Sequence, residues 1–171
     1  DSHGTRIERL AEALEIVQRC WADGSFDFAG EHYEIVGYDA TPTPVQQPRP
    51  PIYFGGSSDA AIDFAGGLVD KYLTWGEPPA QVAEKIAHAR KAAAAKGREA
   101  TFGIRLHFIV RETDEEAWEA ADRLISKLSD EAIASAQQVL TKNSDSVGQA
   151  RMVALHNGRR DKLEVSPNLW A

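Results

Sequence analysis

Apolar residues at Ile7, Leu10, Leu14, Val17 and Trp21 recur every three or four positions, which predicts a helix from about Arg6 to Trp21 with one stripe to bury. After Asp23 and Gly24 the period changes. Ser25-Phe26-Asp27-Phe28 and His32-Tyr33-Glu34-Ile35 alternate apolar with polar around Ala29-Gly30-Glu31, the pattern of a small hairpin. Residues 41–51 hold five of the chain's eight prolines, so that stretch is an extended connection rather than a helix or a central strand.

From residue 51 onward, strand and helix patterns alternate. Pro51–Phe54 reads as a short strand, Gly55-Gly56-Ser57-Ser58 as a turn, and Ala61, Ile62, Ala65 and Leu68 as one face of a helix. A second strand, Lys71–Trp75, leads through Gly76-Glu77-Pro78-Pro79 to a helix presenting Val82, Ile86, Ala89 and Ala93, with Gly97 as its C-cap. The third strand spans Phe102–Val110. Thr113 and Glu116 then form a capping box for a helix whose expected buried face holds Ala117, Trp118, Ala121, Leu124, Ile125 and Leu128.

Successive βα units imply an α/β fold with a parallel sheet and right-handed crossovers, which fits an open doubly wound sheet or a barrel. About three units fall short of the eight in a complete (β/α)8 TIM barrel, so a barrel would be present in part. Residues 130–157 read as helical, with Ile133, Ala136, Val139 and Leu140 on one face, and 159–170 as a loop. The expected organisation is a single domain over 1–171, with 130–170 forming insertion helices and a loop within it. The start at Asp1 and the apolar ending Leu169-Trp170-Ala171 read as a piece cut from something longer.

Composition narrows the function. A chain that is 43% hydrophobic and 26% charged matches soluble globular domains. Its net charge of -7, with basic residues interleaved among acidic ones, leaves no patch for nucleic acid. Apolar runs stay far below the ~20 residues of a membrane span, and no leader opens the chain, so a cytoplasmic location is expected. The single Cys20 excludes an intrachain disulfide and is expected to pack beside Trp21. His3, His32, His88 and His156 lack metal-ligand spacing, and no metal is expected.

Chemistry concentrates on the third strand. Alternation puts Phe102, Ile104, Leu106, Phe108 and Val110 on one face, expected against helices, and Gly103, Arg105, His107 and Ile109 on the other. Arg105 and His107 then point side by side into the interior, where an unpaired charge is costly. Arg105 offers a cationic fork for a sulfonate, phosphate or carboxylate, and His107 exchanges protons near neutral pH. The same pair also fits a purely structural layer, with Arg105 on a carboxylate from another strand. Gly56, Ser57 and Ser58 precede a helix N-terminus and fit either a phosphate cradle or an ordinary turn with its cap. Trp75, at a strand's carboxyl end, suits stacking on a flat ring or plugging a barrel top.

Three stretches taken together, Pro48–Ser58, Tyr72–Pro79 and Phe102–His107, resemble the alkanesulfonate monooxygenases of the bacterial-luciferase-like superfamily, and Arg160–Trp170 is similar to the same family. The resemblance implies a (β/α) barrel with insertions that binds reduced FMN from a separate NAD(P)H-dependent FMN reductase. With O2 it would convert an alkanesulfonate to an aldehyde and sulfite, and the full-length protein would be a homo-oligomer. On that likeness Arg105 pairs with the sulfonate or steadies the flavin peroxide, and His107 transfers or shares a proton. Trp75 lines the flavin pocket, and Gly56, Ser57 and Ser58 hold the FMN phosphate. The family's early-strand cysteine, late tyrosine and mobile arginine loop have no counterpart here, and Cys20 lies on a helix instead. The 171 residues alone are therefore expected to be inactive. The rival readings are a luciferase-like enzyme acting on a sulfone, an alkane or a chelator, or using a deazaflavin, and a non-catalytic βα module.

Overall fold

The computed structural model of the protein describes residues 1–22, 24–142, 144–161 and 163–170. Asp23, Asn143, Lys162 and Ala171, which belong to segments read above, lie outside the described residues. The chain packs as two compact units, residues 1–73 with 84–103, and residues 74–83 with 104–171.

In the first unit, Ser2 opens helix α1 (His3–Cys20) by accepting the Thr5 N–H on its hydroxyl at 3.1 Å. Strands β1 (Ser25–Ala29) and β2 (Glu34–Asp39) form the expected antiparallel hairpin. Its loop is tied to α1 by one carboxylate. Glu12 accepts the backbone N–H groups of Glu31, His32 and Tyr33 at 2.7, 2.9 and 3.0 Å. Burial pushes the Glu12 carboxyl up, but these three donors outweigh it and leave it below the usual range.

The proline-rich connection ends on a second carboxylate. Asp70 takes both terminal nitrogens of Arg49, at 2.6 and 3.0 Å, and the Ile52 N–H at 2.8 Å, with Arg98 at 3.6 Å. This corner starts the sheet, in which β3 (Tyr53–Gly55) runs parallel to β4 (Lys71–Trp75) with Tyr53 opposite Lys71 and Gly55 opposite Leu73. Strand β5 (Thr101–Arg105) adjoins β4, giving the order β3-β4-β5. Helices α2 (Asp59–Leu68) and α3 (Pro79–Ala94) make the connections. Ile52, Ile62, Phe64, Ala65, Val69, Tyr72 and Ala89 form the core, with Ile7, Leu14, Trp21 and Phe102 packed against it. Gly97 adopts φ +66°, so that its own N–H and that of Arg98 return to the Ala94 and Ala93 carbonyls and close α3.

The second unit holds α4 (Asp114–Ile125), α5 (Asp130–Lys142), α6 (Val147–His156) and a small hairpin of β6 (Glu164–Ser166) and β7 (Leu169–Trp170). Thr113 caps α4 as expected, but Glu116 reaches back to the N–H of Glu112 rather than to that of the cap itself. Arg160 closes the other end of α4 on the Ile125 and Leu128 carbonyls, at 2.9 and 2.7 Å.

Three expectations need correction. The third strand ends at Arg105 instead of continuing to Val110, because β4 turns away at Gly76-Glu77-Pro78 and the following residues lose the neighbour they would pair with. The face expected against helices is therefore open beyond Phe102, with Phe108 and Val110 each 78% exposed. On α4, Ala120 and Ala121 are buried, but Leu124 is 66% exposed, and Leu128 lies beyond the end of the helix and is also exposed. Finally, part of the stretch read as a loop over 159–170 is the β6–β7 hairpin, made possible by the turn Pro167-Asn168 with Asn168 at φ 56°.

The architecture is thus α/β with a parallel sheet and covering helices, and no closed barrel forms among the described residues. Among those residues no helix is long and apolar enough to cross a membrane.

Two outcomes test this packing. A Cβ on Gly66 would lie 2.7–2.8 Å from Ala92 and the Ala93 nitrogen. Overpacking of ~1–3 kcal/mol should exceed the ~1 kcal/mol gained in helix propensity, so Gly66→Ala is expected to lower the urea midpoint. For Asp70, the Arg49 hydrogen bond, opposed by burial, holds the carboxyl below its usual range. Its stabilisation is complete above about pH 4, where the unfolded carboxylate titrates, and is lost as the pH falls through the lower folded value. Asp70→Asn should weaken that acid limb in denaturation curves recorded from pH 6 to pH 2.

Candidate functional site

Within the second unit, the end of one strand and the start of the next helix face a cavity of about 760 Å³, inside the ~300–1,000 Å³ usual for small-molecule sites. Trp75 and Gly76 form one wall, set by a tight turn in which the Glu77 N–H donates to the Trp75 carbonyl at 2.9 Å. Arg105, the last residue of β5, and the run Leu106–Ile109 form a second. Helix α4 contributes Asp114, Ala117, Trp118, Ala121 and Leu124, while Met152 comes from α6 and Leu169 and Trp170 from β7.

Arg105, His107 and Trp75 therefore line one cavity, although His107 lies beyond the strand thought to carry it. Neither Arg105 nor His107 has a hydrogen bond or ion pair among the described residues. The expectation that both point into the interior is not met: the strand ends at Arg105, and Arg105 and His107 are exposed on the cavity wall, where the planar guanidinium is open to an anion. Trp75 is 41% exposed and does not plug the interior; its ring is available for stacking.

Two cavity walls are joined by a buried ion pair. Arg151 on α6 places Nε and Nη2 at 3.0 and 2.7 Å from Glu77 Oε2, and the Glu77 side chain has no solvent exposure. Gln81 adds an acceptor 3.4 Å from Arg151 Nη2. Glu77 follows Trp75 and Gly76, and Met152 follows Arg151, so the pair fixes the β4–α3 turn against α6.

The glycine-serine turn lies in the first unit. Ser58 caps α2 through the Ala61 N–H at 3.2 Å, and its hydroxyl also meets His3 Nε2 at 2.7 Å. Lys85, only 5% exposed, donates from Nζ to the Ser57 hydroxyl at 2.8 Å. Gly56 accepts the Tyr72 hydroxyl on its carbonyl, and a Cβ there would lie 2.6 Å from that of Ala61. The turn is thus a rigid corner with an ammonium, an imidazole and two hydroxyls at the start of a helix, a donor set suited to a phosphate ester.

Sequence reasoning missed Lys85 and His3 at this turn. The signal for Lys85 was a charge on the same helical stripe as Val82 and Ala89. It also took Trp118 and Leu124 for core and overlooked Met152, Leu169 and Trp170. The available signal for the last two was the turn dipeptide Pro167-Asn168, which marks a hairpin that returns aromatic surface to the unit.

The chain matches the luciferase-like monooxygenase family over residues 1–169, and it belongs to that family. Among solved structures it resembles a riboflavin lyase (RcaE) with modified FMN and riboflavin, at 18% identity and TM-score 0.75, over 90% of this chain and 43% of that one. It resembles a long-chain alkane monooxygenase (LadA) at 20% identity and TM-score 0.74, over 97% and 45% of the two chains. An EDTA monooxygenase (EmoA) from Chelativorans sp. BNC1 matches at 19% identity and TM-score 0.68, over 96% and 47%. At these identities the likeness is one of fold, and the chain spans under half the length of each of the three.

The buried pair gives a direct test of how the cavity is held. Arg151→Ala should cost about 3 kcal/mol, the lower end for breaking a buried pair because Arg151 keeps a third of its side chain in water. The expected readout is a lower denaturation midpoint together with red-shifted tryptophan emission as Trp75 gains water.

Proposed function

We propose that this chain is part of a two-component flavin-dependent monooxygenase that uses reduced FMN and O2 to convert alkanesulfonates to an aldehyde and sulfite. The observation that carries the reading is a guanidinium, Arg105, with no ion pair among the described residues, beside an imidazole, His107, on the wall of an aromatic and aliphatic cavity. Family membership supplies the reaction class, and the cation supplies the preference for an anionic head group.

The chain's own residues divide the work. Arg105 binds two sulfonate oxygens with its planar fork and so orients the carbon that bears them. His107 offers a ring nitrogen that can donate a hydrogen bond, or pass a proton, to an oxygen of the bound substrate. Trp118, Met152 and Trp170 add apolar wall on which the rest of a substrate can pack. Gly56, Ser57 and Ser58, with Lys85 beside Ser57, would hold the phosphate of FMN, because every polar side chain at that corner can donate a hydrogen bond. Trp75 would stack against its ring system. The flavin, delivered reduced by an NAD(P)H-dependent reductase, supplies the activation of O2.

The activity belongs to the enzyme that contains this chain. With reduced FMN, O2 and octanesulfonate it is expected to release sulfite. Arg105→Ala should lower kcat/KM by on the order of 10–100-fold, the loss of a charge-assisted hydrogen bond, with most of the change in KM. His107→Ala should act mainly on kcat. Oxidation of a sulfone or an alkane with no sulfite from any sulfonate would refute the assignment.

A further inference from the structure

Helix α1 and the β1–β2 hairpin meet where the hairpin loop closes around a carboxylate. The Gly30 N–H donates to the Tyr33 carbonyl at 2.9 Å, and the residues between aim their backbone N–H groups at Glu12. A Cβ on Gly30 would collide with that carboxylate, so the loop fits against it only with glycine there. One turn earlier, on the same face of α1, stands Glu8. Its Oε2 lies 3.6 Å from Nε2 of His32. The two side chains differ in their access to water. Glu8 keeps 64% of its surface exposed, whereas His32 keeps 14%, and its Nε2 is buried with no hydrogen-bond partner. The other charged neighbour on α1, Arg9, is engaged elsewhere: it meets the Tyr33 hydroxyl at 3.4 Å, sits 5.2 Å over that ring and lies 3.8 Å from Asp1. On the loop itself the flanking titratable groups are Glu31, which is exposed, and Tyr33.

Only one charge state of His32 suits this place. A bare Nε2 turns its lone pair toward a carboxylate and leaves a buried acceptor unmet, and a neutral N–H at 3.6 Å is too far away to count as hydrogen-bonded. An imidazolium is attracted by Glu8 and Glu12 together, and it relieves the repulsion between two carboxylates one turn apart. Glu8, mostly in water, can rotate to close the remaining distance.

We propose that His32 is a proton-operated latch between the hairpin loop and α1, closed while the imidazole is charged and loosened when it is neutral. Glu12 supplies the constant hold, because its three backbone donors keep it ionised through the range in which imidazoles as a class change charge, about pH 5 to pH 8. His32 adds a second hold that depends on pH. Since the docked loop favours the charged ring, docking strengthens as the pH falls through that interval and weakens as it rises. Loosening frees the loop that carries Tyr33, and with it the stacking of Tyr33 on Arg9.

Hydrogen exchange of the full chain tests the latch, read as protection factors so that the pH dependence of intrinsic exchange drops out. The amides of Glu31, His32 and Tyr33 are bonded to Glu12 and report directly on docking of the loop. Their protection, taken relative to the core amide of Tyr72 to remove any change in global stability, is expected to be about two- to fivefold greater at pH 5.5 than at pH 8. That is the size of a partly exposed ion pair. His32→Gln, which keeps a polar side chain without a titrating group, should abolish the difference. Glu8→Gln, at an exposed position where folding is expected to survive, should at least halve it. Equal protection at the two pH values in the parent, or greater protection at pH 8, would overturn the latch. So would a difference that persists undiminished in either variant, and if His32→Gln does not fold, Glu8→Gln decides the matter by itself.

Discussion

The sheet of the first unit starts from one carboxylate. Asp70 accepts from Arg49, which arrives at the end of the proline-rich connection, and from the backbone of Ile52 just before β3, while its own carbonyl accepts the Thr101 hydroxyl at the start of β5 at 2.5 Å. Its N–H returns to the Ile52 carbonyl at 2.9 Å. One residue thus fixes where β3, β4 and β5 begin. Because side chains alternate along a strand, a slip of one residue at this corner would turn Tyr72 out of the core and Leu73 into it.

A strand's start also sets where its far end delivers the chain. On β3 that is Gly56, whose lack of a side chain permits the close approach to Ala61, and then the two serines at the head of α2. In the second unit the corresponding organiser is the Glu77–Arg151 pair, which holds together elements far apart in the chain that both contribute to the cavity. The two units therefore solve the same problem with different chemistry. One uses a half-buried carboxylate shared among several donors, and the other a carboxylate wholly withdrawn from water that takes two guanidinium nitrogens on one oxygen.

Much of this architecture is legible in the sequence, because it follows from short-range rules. The stripe of α1, the alternation in the hairpin, Thr113 as a cap and Gly97 as a stop each depend on residues within a few positions of one another. What is not legible depends on partners distant in sequence. The alternation from Phe102 to Val110 continues in the residues after the neighbouring strand has turned away, so the pattern reports nine positions where the sheet has five. Likewise, an apolar helix face announces that it needs cover without saying what covers it, and Leu124 read as core for that reason. Arg105 and His107 drew notice because polar side chains in an apolar run stand out locally, and both line the cavity. Lys85 stood out in the same way and was passed over, since its partner Ser57 is 28 positions away.

The separation within the Glu77–Arg151 pair, 74 residues, has a consequence for how the molecule is made. Glu77 leaves the ribosome well before Arg151, and a buried carboxylate is costly until its charge is matched. This pair can therefore close only after α3, β5, α4 and α5 have been synthesised and α6 has arrived. Closing so long a loop is slow compared with forming helices and hairpins. The wall that holds Trp75 is thus among the last parts of the second unit to set, which makes completion of the cavity a report that the chain has been synthesised at least as far as α6.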